Sequence, residues 1–183
     1  MTIFTALMGF LFLSGSNRLP AKPAEPAPGY TVTLTAYNAV PEQTDGNPFE
    51  TASGAYSNPE VVAARSQDLG DELPFGTIIE IEGADISSGD SCGYSVVAHK
   101  IGYRVIEDTM NAKFKNRIDV LLDTNAEYKT ADAGMQNAAQ VLGICKGATY
   151  RVVGYVDINH IPKTQGELAK LVSNGAKELA LNK

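Results

Sequence analysis

The 183-residue chain has no tryptophan, only two cysteines and two histidines, and no run of lysine or arginine. Each shortage removes a class of function. With 15 Lys+Arg against 21 Asp+Glu, a net charge of −6 and a pI near 4.9, the chain lacks the cationic surface that releases counterions from a phosphate backbone. Nucleic acid is therefore excluded as a partner. His99 and His160 sit in unlike contexts without ligand spacing, and Cys92 and Cys145 lack the Cys-x-x-Cys or Cys/His spacing of a metal site. No metal and no other cofactor is expected. A P-loop, a Ser/His/Asp arrangement and internal repeats are also missing. With 8 Tyr and 6 Phe, the supply of rings for stacking on a ligand is modest.

What remains is globular: 44% hydrophobic residues, 20% charged residues and a mean hydropathy of −0.11. This length suits one compact domain. Residues 1–16 read as a signal-like or anchor segment, because Ile3 to Leu13 is almost entirely apolar and is followed by Ser14, Gly15 and Ser16. The run is shorter than the ~20 residues of a spanning helix but matches the apolar region of a secretory signal. No Lys or Arg precedes it, so an uncleaved anchor or a hydrophobic cap stands beside export as a reading. Residues 17–29 form a Pro/Ala-rich linker, residues 30–160 the folded domain and residues 161–183 a helical tail. The expected location is the periplasm or cell envelope, with membrane anchoring through the N-terminal segment as the variant. Residues 1–29 hold Arg18, Lys22 and Glu25, a net +1; taken from −6, they leave −7 on residues 30–183.

An even cysteine count behind a secretory-like leader makes a Cys92–Cys145 disulfide the natural expectation. Two unpaired buried thiols are the alternative. The bridge would close about 53 residues and stabilise the fold by about 4 kcal/mol on the chain-entropy model.

Period-two alternation runs through Thr31–Tyr37, Val61–Ala64, Thr77–Ile81, Tyr94–Ala98, Gly102–Ile106, Ile118–Leu122 and Thr149–Ile158. These read as seven short strands. Turn residues punctuate them at Asp45-Gly46-Asn47-Pro48, Pro74-Phe75-Gly76 and Ser87-Ser88-Gly89-Asp90. A closed barrel suits such strands because it removes exposed edges. Helices are expected at Ala126–Leu142, which ends near Gly143, and at Thr164–Leu181, where Thr164 and Glu167 have capping-box spacing.

Three stretches carry more. The first joins Thr35-Ala36-Tyr37 to Glu50-Thr51-Ala52-Ser53-Gly54. The second joins Val62-Ala63-Ala64-Arg65-Ser66-Gln67-Asp68 to Leu73-Pro74-Phe75-Gly76-Thr77. The third joins Tyr103-Arg104-Val105-Ile106-Glu107-Asp108-Thr109-Met110-Asn111 to Asn116-Arg117-Ile118-Asp119-Val120. Together they resemble the 3D (Asp-Asp-Asp) domain, which also forms the catalytic barrel of MltA-type membrane-bound lytic transglycosylases. The resemblance covers residues 33 to about 125, with Tyr150–Ile158 as a final strand. It implies a mainly β fold, a six-stranded double-psi β-barrel with one or two peripheral helices, whose aspartates gather in a groove that holds a peptidoglycan glycan strand. The three aspartates fall on Asp68, Asp108 and Asp119. Asp119 resembles the catalytic acid and Asp108 its carboxylate neighbour. The chain reads Asp108-Thr109-Met110-Asn111 where the family commonly has Asp-Thr-Gly-Gly.

The chemistry follows from the residue types. Cleaving a glycosidic bond needs a proton for the leaving oxygen, so an acid must keep its proton well above pH ~4. Like-charge repulsion and desolvation in a shared groove supply that condition. Tyr37 and Thr51 are candidate groove residues, and Arg117 is a candidate to orient Asp119 or meet an anionic substituent. The implied activity is that of a lytic transglycosylase forming 1,6-anhydromuramic products. The alternative is a non-catalytic glycan-binding or wall-loosening module on the same barrel.

Overall fold

The computed structural model describes residues 28–83, 92–131 and 133–181. The signal-like segment, most of the linker and the Ser87–Asp90 turn lie outside the described residues. Six strands close a barrel in the order β1-β5-β2-β4-β3-β8: β1 (Tyr30–Tyr37), β2 (Val62–Arg65), β3 (Thr77–Gly83), β4 (Tyr103–Thr109), β5 (Arg117–Leu121) and β8 (Cys145–Tyr155). The pairs β1/β5 and β2/β4 are parallel, and the rest are antiparallel. The fold is therefore mainly β and built on a six-stranded closed barrel, as expected. The long β8 closes it, pairing first with β1 (Leu34 opposite Cys145) and then with β3 (Thr77 opposite Tyr155).

The apolar runs are strands buried on both faces. Leu34, Ala63, Ile79, Ile106, Ile118 and Val120 pack in one cluster, while Val62, Ala64, Ile78, Val105 and Leu121 pack in another. Alternation along each strand sends neighbours to opposite clusters. The second cluster is completed by Leu168 of helix α3 (Gln165–Leu181), so the C-terminal helix packs on the barrel. Thr164 and Glu167 form the expected capping contacts: the Thr164 hydroxyl accepts from Glu167 N (3.2 Å), and the Glu167 carboxylate accepts from Thr164 N (3.2 Å). Gln165 adds a backbone-like pair with Tyr103, donating to its carbonyl (2.8 Å) and accepting from its amide (3.0 Å).

Two expectations are corrected. Tyr94–Ala98 is no strand but the start of helix α1 (Tyr94–Ile101), in which Val97 and Ile101 are buried while Val96 is exposed. That spacing of four is helical; the alternation in so short a run was coincidental. Ala126–Leu142 is no single helix either. It holds the hairpin β6 (Glu127–Thr130) and β7 (Gly134–Asn137), then the five-residue helix α2 (Ala138–Leu142). Gly134 at φ 72° turns the hairpin, and an Asn137–Gln140 capping box starts the helix only at residue 138. Local turn and cap chemistry thus outweighs the alanine content.

The expected disulfide is formed between Cys92 and Cys145, with Cα atoms 4.8 Å apart, and it fastens the start of α1 to the start of β8. Arg104 of β4 is fully buried and donates to the carbonyls of Ile101 (2.6 Å), Pro59 (2.7 Å), Leu121 (3.2 Å) and Lys100. Burial lowers its pKa to about 9. One guanidinium thereby ties the end of α1 to the Pro59 segment and to β5. Gly76, at φ 85°, sits where an added Cβ would lie 2.3 Å from the Val156 carbonyl, which is why the Pro-Phe-Gly turn needs glycine there.

Candidate functional site

A groove of about 530 Å³ opens on the β1-β5-β2-β4 side of the barrel, with Asp108, Asp119, Ala64, Tyr37 and Thr51 among its lining residues. Strand register sets a row of which Asp119, Ala64 and Asp108 line the groove. Thr35 of β1 faces Asp119 of β5, Asp119 faces Ala64 of β2, and Ala64 faces Asp108 of β4. Directly paired residues project to the same face, so both carboxylates rise from one surface with a methyl group between them. Two strand spacings, about 10 Å, separate their Cα atoms. The parallel β2/β4 pairing shifts register between Ala63 and Ala64, where Ile106 and Asp108 are the partners; Glu107 is the extra residue. This bulge turns Asp108 toward the groove side.

The two aspartates have different surroundings. Asp119 lies within the apolar Ile118–Leu122 stretch and accepts from the Thr35 hydroxyl at 2.8 Å. Burial raises its pKa to about 6, with the charge of Asp108 adding to the rise, against the lowering effects of the Thr35 bond and Arg117. Asp108 accepts from three donors: the Tyr37 hydroxyl (2.9 Å), Ala52 N (3.0 Å) and its neighbour Thr109 N (2.8 Å). Its orientation is therefore fixed from β1, from the end of its own strand β4 and from the loop that carries Ala52. Tyr37 is 8% exposed, and burial followed by the nearby Asp108 carboxylate raises its pKa, so it remains a donor.

Thr51 lines the groove and braces its wall, donating from its hydroxyl to the Ala55 carbonyl (3.1 Å). The same loop is anchored below by Ser53, which donates to Glu107 at 2.5 Å while Ser53 N donates to the Glu107 carbonyl at 3.0 Å. Glu107 is fully buried, and burial raises its pKa. Arg117 is not among the lining residues; its guanidinium lies over the Phe114 ring, 4.6 Å from the centroid, and its charge acts on Asp119 from there.

Asp68 does not join the other two aspartates. It is exposed in the 3-10 turn Gln67–Leu69, accepts from Asn116 N at 2.9 Å and lies outside the groove lining. Hydrogen bonds, led by that of Ser66, hold its pKa down. Asn116 adopts φ 46°, so Asp68 steadies the strained turn that leads into β5 and Asp119. The histidines are likewise remote from the lining: His99 Nε2 is 3.2 Å from the Tyr128 hydroxyl, and His160 Nδ1 is 3.0 Å from Asp157. Among the described residues no group of three His, Cys, Asp or Glu could hold a metal ion.

Sequence reasoning missed several contributors. Thr35 and Ala64 lay inside the quoted stretches but had no assigned role, because only strand register sets them beside the carboxylates. Glu42, Asp45 and Glu50, together with Lys113, also line the groove from loops whose positions no periodicity reveals. Compared with known proteins, the chain matches no family model and no curated protein.

Proposed function

We propose that the chain is a peptidoglycan-cleaving enzyme of the lytic transglycosylase kind, with Asp119 as general acid and base. The observation that carries this reading is the contrast between the two groove carboxylates. Asp119 has a pKa raised to about 6, while Asp108 is held as an acceptor by three donors. An acid near pKa 6 retains a useful proton fraction around neutral pH. The resemblance of the Asp108 and Asp119 stretches to the 3D domain supports the same roles.

In the proposed reaction Asp119 gives its proton to the glycosidic oxygen as that bond breaks and positive charge grows on the ring. The resulting carboxylate takes a proton from the C6 hydroxyl of the same sugar, whose oxygen closes on C1 as a 1,6-anhydro ring. Asp119 is protonated again at the end, and neither water nor a second nucleophile is consumed. Asp108 supplies the neighbouring charge that favours the proton on Asp119 and that faces the developing cation. The disulfide supports an exported location, in the periplasm or cell envelope, since such bridges persist in oxidising compartments.

Digestion of purified peptidoglycan followed by mass spectrometry tests this reading. The expected products carry 1,6-anhydromuramic ends. Reducing ends alone would indicate a hydrolase, and binding without cleavage would favour a glycan-binding or wall-loosening module.

A further inference from the structure

The two connections that line the groove carry opposite charge. The β1–β2 connection contributes Glu42, Asp45 and Glu50, whereas the β4–β5 connection contributes Lys113, the one basic residue among the described lining residues. Lys113 is solvent-exposed and forms no ion pair among the described residues, and its Nζ stands 5.0 Å from the centroid of Phe114, itself a lining residue. Arg117 lies over the same ring at 4.6 Å, so Phe114 gathers two cations on this side. The backbone beneath is fixed by an Asn111 turn, in which Asn111 Oδ1 accepts from Lys113 N (3.1 Å) and the Asn111 carbonyl accepts from Phe114 N (3.0 Å).

We propose that Lys113 is a specificity residue that receives a carboxylate carried on one edge of the glycan. The assignment rests on the glycan-cleaving reading above and adds the direction in which the strand lies. In a β-1,4-linked strand alternate rings present the same edge, so acidic substituents borne by every second sugar project to one side. A groove with two acidic walls would repel them, and one with two basic walls would accept either orientation. Here three carboxylates on the β1–β2 connection repel the substituted edge while Lys113 on the β4–β5 connection attracts it. Only one orientation of an acid-bearing strand is then favoured, and an uncharged strand is not oriented this way.

The test compares two oligosaccharides of equal length: a muramic acid-containing tetrasaccharide with free lactyl carboxylates and no peptide, and uncharged chitotetraose. Binding is measured by calorimetry on the full chain carrying Asp119→Asn, which prevents turnover, with and without Lys113→Gln. The carboxylated ligand is expected to bind about threefold to fivefold more tightly, the range of an exposed ion pair. That preference should fade as salt is raised. Lys113→Gln should remove it by weakening the carboxylated ligand alone, and unchanged chitotetraose affinity would show that the groove is intact. Equal binding of both ligands, or a preference that survives Lys113→Gln, would overturn the assignment while leaving the glycan reading standing. Binding of neither would overturn both.

Discussion

Asp108 and Asp119 are registered on the same residue, Ala64, from its two neighbouring strands. The parallel β2/β4 pair delivers one carboxylate and the antiparallel β2/β5 pair the other. Their separation is thus a property of the sheet, and Ala64 determines how much room lies between them.

Substituting that alanine tests the arrangement directly. Ala64 is only 3% exposed, and Ala64→Leu would place a larger side chain between the carboxylates. Glycan binding and cleavage should fall by at least about tenfold, and overpacking should cost about 1–3 kcal/mol. Denaturant unfolding read beside calorimetric binding separates the two effects; unchanged binding would show that ligand does not enter between the aspartates.

Asp119→Asn should lower turnover by at least about 100-fold, the contribution of a positioned general acid. It should also raise stability at neutral pH. The folded-state pKa of about 6 exceeds the ordinary value of 3.8, so the folded protein holds this proton more tightly than the unfolded chain. The stability gained from that proton is fully present below about pH 4, is lost as pH rises toward 6 and stays lost above it. At pH 7 the isosteric amide avoids a penalty of about 3 kcal/mol. Urea unfolding of both proteins at pH 4 and pH 7 should show the difference only at the higher pH.

Asp108→Asn should act through Asp119. Removing the neighbouring charge takes away one of the causes that raise the Asp119 pKa, so the alkaline limb of the activity profile should move to lower pH. Tyr37→Phe removes the donor to Asp108 at 2.9 Å and should cost about 1 kcal/mol of stability. Because it leaves the Asp108 charge in place, its pH profile should move less than that of Asp108→Asn. Identical displacement of the two profiles would mean that Asp108 acts by position and not by charge.

Reducing the Cys92–Cys145 bridge, or replacing both cysteines with serine, should destabilise the fold by about 4 kcal/mol, the chain-entropy value for a loop of this length. The expected sign is a lower urea midpoint. Retention of the wild-type midpoint would mean that α1 and β8 are already held in place by packing.

The sequence by itself determined where the six barrel strands run, but not the β6/β7 hairpin or helix α1. Thr77–Ile81 and Ile118–Leu122 were legible as strands from their apolar residues, whereas their burial on both faces, and with it the burial of Asp119, came from packing. The even cysteine count and the Thr164–Glu167 cap were also legible, since both are local patterns. Tertiary structure decided the rest. Register alone placed Thr35, Asp119, Ala64 and Asp108 in one row, and pairing between strands far apart in sequence leaves no local periodic signal. The same pairing left Asp68 outside the groove, bonded to the turn before β5. Only the folded chain could bring the acidic β1–β2 connection and Lys113 to the lining of one groove, because Glu42, Asp45 and Glu50 are more than 60 residues from Lys113 along the sequence.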